Sequence, residues 1–519
     1  MNTCYEVMLD RCKKDGSIVY YDHSISMLRF LRDVDALAYG LSRLGLKKGD
    51  VITVYLPTCP QSLAAFYACS KLGLIASFVH PLTPADELEE NVRITKSKAL
   101  LFYDVLVKDE RKLKKLGVML VRCSIADYVT VRKPVYSLYA KCAGKRVKDA
   151  YTYVRLTKHA NQTPVEGDER DVVCYMHSGG TSGQPKIVKI SNYAFNQTAI
   201  TIVDMYNPVN DGTNFYLTTL PVFHAYGLCN SVHTGFVAGF NLALVPQYDV
   251  KVVKRYFNKY NITAWAAVPA MLVKLLKQNA LDHKRMGKLD VIWCGGDVLP
   301  ETLAERVDGI LAKYSKRPAR LMRGYGLTET CGVCCVNNYD RYAKGSCGMP
   351  IDGCKVEIWD DNGNVLPAGK VGEIVLCARG LMSGYLDGGE DFVKDGSWLK
   401  TGDLGYVDEQ GFVYVVDRKK RMIKIAAVNV FPAEVESCIN KLPFVNETCV
   451  VGCKVNGKQF LKAFVTVNTD TDKKVVAEKV IQWCKSNLIR YSVPAFVEVL
   501  DVMPRTKLAK IDYKSLESR

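Results

Sequence analysis

From residue 51 to residue 294 the chain repeats one texture: a short apolar run rich in β-branched residues, a turn, then a segment of helical periodicity. The strand-like runs are residues 51–56, 75–79, 100–103, 118–121, 241–245, 262–268 and 291–294. Ahead of them, Leu28, Leu31, Val34, Leu37, Ala38 and Leu41 fall close to a 3.6-residue spacing, which predicts an amphipathic helix. Strands alternating with helices predict an α/β fold with open, mostly parallel sheets. No fixed-period repeat runs through the chain. With 519 residues the chain outgrows one core. It should divide into about two to four subdomains.

Past residue 345 the texture changes. Short strands separated by Asp-Asn-Gly and Pro-Ala-Gly turns predict a small β-rich subdomain over 345–400. Residues 404–407 and 412–416 flank a turn at 408–411 and read as a hairpin. After the basic run Arg418-Lys419-Lys420-Arg421 the pattern is a small α+β unit, with Pro432 opening a helix. Residues 125–170 are polar and basic with little periodicity, and read as surface elaboration.

Apolar content of 48% and charged content of 24% are those of a globular protein. No long uncharged apolar stretch predicts a transmembrane helix. The N-terminus lacks a basic-then-apolar export pattern, so a cytoplasmic location is the expectation. Nineteen cysteines, scattered in apolar runs, then read as reduced core thiols. Cys331, Cys334 and Cys335 have no second cysteine pair or nearby histidine, which argues against zinc. The net charge of +16 suits a polyanionic small molecule or an acidic partner.

Between two strand-like runs stands Ser178-Gly179-Gly180-Thr181-Ser182-Gly183-Gln184-Pro185-Lys186. Glycines let a backbone approach a ligand closely, and successive N–H groups in such a loop can cradle an anion. It is not a Walker A loop, because Pro185 stands where the glycine-lysine pair would begin. A plain hairpin with a solvated lysine has the same composition. Further along, Gly324-Tyr325-Gly326-Leu327-Thr328-Glu329 puts an aromatic between glycines and a carboxylate just behind. The aromatic could stack on a base, and the carboxylate suits Mg2+ beside phosphate oxygens. Asp403 and Arg418 lie at matched ends of the predicted hairpin. They could hold a sugar diol or form an ordinary exposed ion pair. Lys510 lies in a lysine-rich tail.

In this order and spacing the motifs resemble the adenylate-forming superfamily of acyl- and aryl-CoA synthetases, amino-acid adenylation domains and beetle luciferases. The acyl-CoA and coumarate-CoA ligase type is the nearest. The resemblance extends to Leu220-Pro221-Val222-Phe223-His224-Ala225-Tyr226-Gly227 and covers nearly the whole chain. It implies an N-terminal AMP-binding domain (1–417) of two α/β subdomains and a β-barrel-like one, a hinge (418–420) pivoting on Lys420, and a mobile C-terminal domain (421–519). The basic run is then hinge, not a nucleic-acid patch. The implied chemistry has two halves: a carboxylate attacks the α-phosphorus of ATP to give an acyl-AMP, then a thiol takes the acyl group.

By the same resemblance Ser178, Gly179, Gly180, Thr181, Ser182, Gly183 and Lys186 would cradle the outer phosphates. Thr328 would contact the α-phosphate and Glu329 would hold Mg2+. Tyr325 would stack on adenine beside Gly326, with Gly295, Gly296 and Asp297 edging the base. Asp403 and Arg418 would hold the ribose, and Lys510 would stabilise charge at the reacting phosphorus. Lys424 would serve the thioester half beside a pantetheine tunnel, from CoA or from a carrier protein. Ile187, Asn192, Ala427 and Ala509 depart from the family pattern, and the two alanines put thioester formation in more doubt than adenylation. Amino-acid adenylation domains place an aspartate where this chain has His224, so an α-amino acid is disfavoured. His224 would instead border the acyl site, with Tyr226, Asn230, Trp293, Gly332 and Cys334 as pocket wall. That wall would admit an aryl or a medium-chain acid. A nucleotide-binding protein without catalysis is the alternative of a different class.

Overall fold

The computed structural model describes residues 2–107, 110–129, 150–159, 161, 163–178, 186–207, 212–281, 287–314, 320–388, 392–393, 397–425, 428–455, 458–468, 472–505 and 511–519. Two large sheets carry the α/β part. The first runs Tyr151–Thr152, Met119–Cys123, Ala99–Tyr103, Val51–Tyr55, Ile75–Phe78, Val172–His177, Ile187–Ser191. Its strands are parallel up to the last, which returns antiparallel as a hairpin. The second sheet has nine strands, and its parallel centre is Arg320–Tyr325, Val291–Cys294, Ile262–Ala267, Phe215–Thr218 and Asn241–Leu244. Ser17–Tyr20, from the far N-terminus, joins this second sheet parallel to Asn241–Leu244.

The β-rich subdomain is a five-stranded antiparallel sheet that includes Trp398–Val407 and Val413–Arg418. The C-terminal unit packs the helices Pro432–Ile439 and Lys473–Asn487 on the sheet Val445–Val455, Lys458–Val467, Phe496–Val499. Pro432 occupies the first helical turn. There its missing N–H costs nothing. Among the described residues no helix is long and apolar enough to cross a membrane.

Local sequence explains most elements, with two corrections. The helix Met27–Arg43 starts where Ser26 accepts a hydrogen bond from the Arg29 amide. Its buried stripe is Met27, Phe30, Leu31, Val34, Leu37 and Leu41, whereas Leu28 is 65% exposed. Phe30 won the inward position because it meets Tyr67 and Phe236, two aromatics from distant parts of the chain. The described part of 125–170 is not mere surface. Tyr128 and Tyr153 are buried with their hydroxyls 2.8 Å apart, and Leu156 packs beside them in the main core. Asn192 also finds its reason here. Its side-chain oxygen accepts from the Cys4 amide (3.0 Å) and the Ser70 hydroxyl (2.7 Å), while its nitrogen donates to the Asp168 carbonyl (2.9 Å).

The loops after Val172–His177, Phe215–Thr218, Val291–Cys294 and Arg320–Tyr325 all leave the carboxyl ends of parallel strands. Open α/β sheets bind ligands in the crevice outside those ends.

Candidate active site

The ends of the glycine loop meet: the Ser178 amide donates to the Lys186 carbonyl (2.9 Å), in continuation of the His177–Ile187 register. Gly179, Gly180, Thr181, Ser182 and Gly183 lie outside the described residues, as do Ala426, Ala427, Ala509 and Lys510. The strand that leaves the loop, Ile187–Ser191, is bordered by the segment 382–386. The Lys189 amide donates to the Gly384 carbonyl and the Leu386 amide to the Ile187 carbonyl. This sets Tyr385 beside both ends of the site. Its ring centroid is 4.2 Å from Lys186 Nζ, and its hydroxyl donates to Glu329 Oε1 at 3.0 Å. The Met382 amide also donates to the Glu329 carbonyl. Sequence reading missed Tyr385, whose only local signal is a Gly-Tyr pair in a turn-rich stretch. Tyr385→Phe keeps the ring under Lys186 but removes the donor to Glu329. A hydrogen bond to a charged group contributes about 1.5–3 kcal/mol, so activity that depends on an oriented Glu329 should fall about tenfold or more. Unchanged kinetics for Tyr385→Phe would mean that Glu329 is oriented by other groups.

Thr328 and Glu329 sit on a single 3-10 turn, Thr328–Thr330, closed by left-handed Cys331 and Gly332. Thr328 is buried and Glu329 half-buried. Gly326 permits the turn to fold back, since a Cβ there would collide with the Gly332 carbonyl and Val333 Cα. Tyr325, at the end of its strand, joins this turn to the β-rich subdomain: its hydroxyl donates to Asp403 Oδ2 at 2.6 Å. Burial, and then the Asp403 carboxylate, push the phenol well above its ordinary pKa, so it stays a donor. The other Asp403 oxygen takes Arg418 Nε at 2.6 Å, and the two residues are register partners in the hairpin. Asp403 is 3% exposed, so this is not a plain surface ion pair. Asp297 lies exposed after Val291–Cys294, its carboxylate accepting the Val298 amide.

Beside this turn lies a narrow cavity, partly open to solvent, with a volume of about 40 Å3. Gly295, Gly296, Gly324 and Gly326 line one part, Tyr226, Asn230, Trp293 and Gly332 another. Ile202, Tyr216, Val333 and Val336 complete the wall and were not legible in sequence. Cys334 is a correction. It is fully buried and does not line the cavity, because its amide and its thiol both turn to the Tyr325 carbonyl. His224 is half-buried and caps the next helical turn. It accepts the Tyr226 amide on Nδ1 at 3.2 Å, so its neutral ring carries its proton on Nε2.

Lys420 is exposed. Its neighbours are both held: Lys419 by Asp361 and Glu373 (2.9 Å each), Arg421 by Glu436 (2.5 Å) and Asp417 (3.7 Å). Lys424 is also exposed and is not brought to the cavity. It lines a separate open groove with Lys420, Arg421 and Gln459.

A glycine-flanked phenol, an Asp403–Arg418 pair whose carboxylate is buried and a largely apolar cavity thus lie together at the carboxyl ends of the parallel strands. Comparison with known proteins identifies the family. The AMP-binding enzyme model matches residues 9–386 and the AMP-binding enzyme C-terminal domain matches 434–510. The chain belongs to this AMP-binding, adenylate-forming enzyme family. A long-chain-fatty-acid–CoA ligase of Bacillus subtilis (strain 168) is 28% identical over 95% of this chain and 90% of its own. The 4-coumarate–CoA ligase 4 of Arabidopsis thaliana is 27% identical over 98% and 88%. In fold the chain is similar to an o-succinylbenzoate CoA synthetase of Bacillus subtilis in complex with its acyl-adenylate, at a TM-score of 0.82, 23% identity, and 100% and 98% coverage.

Proposed function

We propose that this enzyme activates a carboxylic acid with ATP to an acyl-adenylate and transfers the acyl group to CoA. The observation that carries the reading is the bonded row Tyr325–Asp403–Arg418, whose Tyr325 stands between Gly324 and Gly326 of the wall of a largely apolar cavity. An adenosine needs a flat partner and an acceptor for its ribose hydroxyls. Tyr325 supplies the first and Asp403 the second, with Arg418 Nε holding the carboxylate in place at 2.6 Å. Glu329 is a single carboxylate behind a buried threonine. That suits Mg2+, which prefers one or two carboxylates plus substrate phosphate oxygens to an all-protein cage. When bound, the ion would neutralise charge on the phosphates. The residues of the chain hold the rest. Lys186 and the loop ahead of it grip the outer phosphates, Thr328 the α-phosphate, and Lys510 the charge gathering as the carboxylate attacks. The activated acyl carbon then faces the cavity while AMP serves as leaving group.

We propose the same division of the chain: an N-terminal domain over 1–417, a hinge over 418–420 and a mobile domain over 421–519. Exposed Lys420, between Lys419 held by Asp361 and Glu373 and Arg421 bridging Asp417 and Glu436, supports it. In this arrangement Lys424 stands outside the cavity, and the thioester half requires a swing that brings it in. Acid-dependent ATP–pyrophosphate exchange over aryl and fatty acids tests the first half, and AMP release with CoA or with a phosphopantetheinyl carrier tests the second. Exchange with CoA-dependent AMP release is expected. AMP release with the carrier alone would replace CoA by a carrier protein. No exchange with any acid would leave a nucleotide-binding protein.

A further inference from the structure

We propose that the acid taken by this cavity bears, beyond its carboxylate, a group that both donates and accepts hydrogen bonds, and that Asn230 recognises it. The inference rests on the adenylating function proposed above. Asn230 is 6% exposed and lines the cavity, yet among the described residues neither its Nδ2 nor its Oδ1 has a hydrogen-bond partner. Buried polar side chains are nearly always paired, and an unpaired one calls for a reason. Leucine would fill the same space without that penalty.

The residue is firmly placed. It lies on a π-helical turn, Leu228–His233, and its backbone carbonyl accepts the Tyr216 hydroxyl at 2.9 Å. Such turns are frequent at functional sites. Its side chain lies over Gly332, a left-handed residue (φ +98) where an added Cβ would collide with Asn230 Oδ1. The two phenols of the wall are already committed. Tyr216 donates to the Asn230 carbonyl and Tyr226 donates to the Trp293 carbonyl at 3.1 Å. Ile202, Val333 and Val336 offer only carbon. Beside the Trp293 indole N–H, the amide of Asn230 is the side chain of this wall that both donates and accepts without a partner among the described residues.

The chemistry of an amide narrows the ligand. A second carboxylate would satisfy Nδ2 but repel Oδ1, because it only accepts. A plain alkyl or unsubstituted aryl acid would leave both atoms unpaired. A carboxamide or a hydroxyl satisfies both.

The test uses the full-length enzyme and Asn230→Leu, with matched acids: benzoate, its ring-hydroxyl and ring-carboxamide derivatives, and octanoate. Exchange kinetics and calorimetric binding are both read. The wild type should prefer a hydroxyl or carboxamide acid to its plain parent by about ten- to hundredfold in kcat/KM, as leaving a buried donor or acceptor unpaired does. Asn230→Leu should lose that preference, the kcat/KM for polar acids falling to that for plain acids. Equal use of plain and polar acids by the wild type overturns the proposal, as does a parallel loss for all acids in Asn230→Leu, which would make the residue merely structural. Exchange without preference leaves the adenylating function intact and removes the recognition role. Preferential binding without exchange does the reverse, and neither binding nor exchange with any acid removes both.

Discussion

Lys510→Ala should lower acid-dependent ATP–pyrophosphate exchange by about a hundredfold or more, the usual loss when one contact to developing transition-state charge is removed. In the proposed reaction a carboxylate meets an α-phosphate, so like charges converge as the bond forms. Only a cation aimed at that point offsets their repulsion, and in a water-poor cleft its effect is larger than in solution. Lys510 lies outside the described residues, and its assignment rests on the motif around it. The experiment therefore carries the assignment. Thioester formation from a supplied acyl-adenylate should survive the substitution, because that step begins after the phosphorus has reacted. Exchange near the wild-type rate would mean that another cation serves the first half-reaction.

Asp403→Asn should raise the KM for ATP tenfold or more and lower kcat/KM for ATP to match, with a smaller change in kcat. Asp403 accepts the Tyr325 hydroxyl on one oxygen and Arg418 on the other, both at 2.6 Å. An asparagine keeps one oxygen, which Arg418 Nε takes, and turns its Nδ2 to the Tyr325 hydroxyl, which must then accept instead of donate. The bonds to Tyr325 and Arg418 lose their charge assistance, and the ribose loses a charged acceptor. Fold stability should change by only about 1 kcal/mol, because the Arg418 side chain is 38% exposed and can turn to water. An unmoved KM for ATP with a loss of stability would make the pair a structural clamp between subdomains. Kinetics at varied ATP, beside a denaturation curve, separates the two outcomes.

The pairing of Asp403 with Arg418 was legible in sequence, and the reason is local. Asp403 and Arg418 face each other because a hairpin register follows from its turn at 408–411, all within one stretch of chain. The turn holding Thr328 and Glu329 was likewise visible from its glycines. Tyr385 was not, because it reaches Glu329 and Lys186 only through the edge of a strand that starts at Ile187. Cys334 was misplaced for a similar reason. Its position near the pocket was readable, but the direction of its thiol depends on the backbone that folds under Tyr325.

What the amino-acid order alone determined is everything encoded by short-range periodicity and turn chemistry: the alternation of strands and helices, the hairpins, the glycine turns and the order of the motifs. Tertiary structure alone decided which strands became neighbours. Ser17–Tyr20 lies beside Asn241–Leu244 in the second sheet although the intervening chain builds the first. Strand pairing is chosen by apolar surface buried across long loops, whose closing entropy grows only slowly with length. Nothing in the local pattern of either strand records its partner. The same applies to the cavity: Asn230, Gly332 and Trp293 come from three distant segments. Their meeting depends on packing between sheets, where side chains must fit as shapes rather than follow a period.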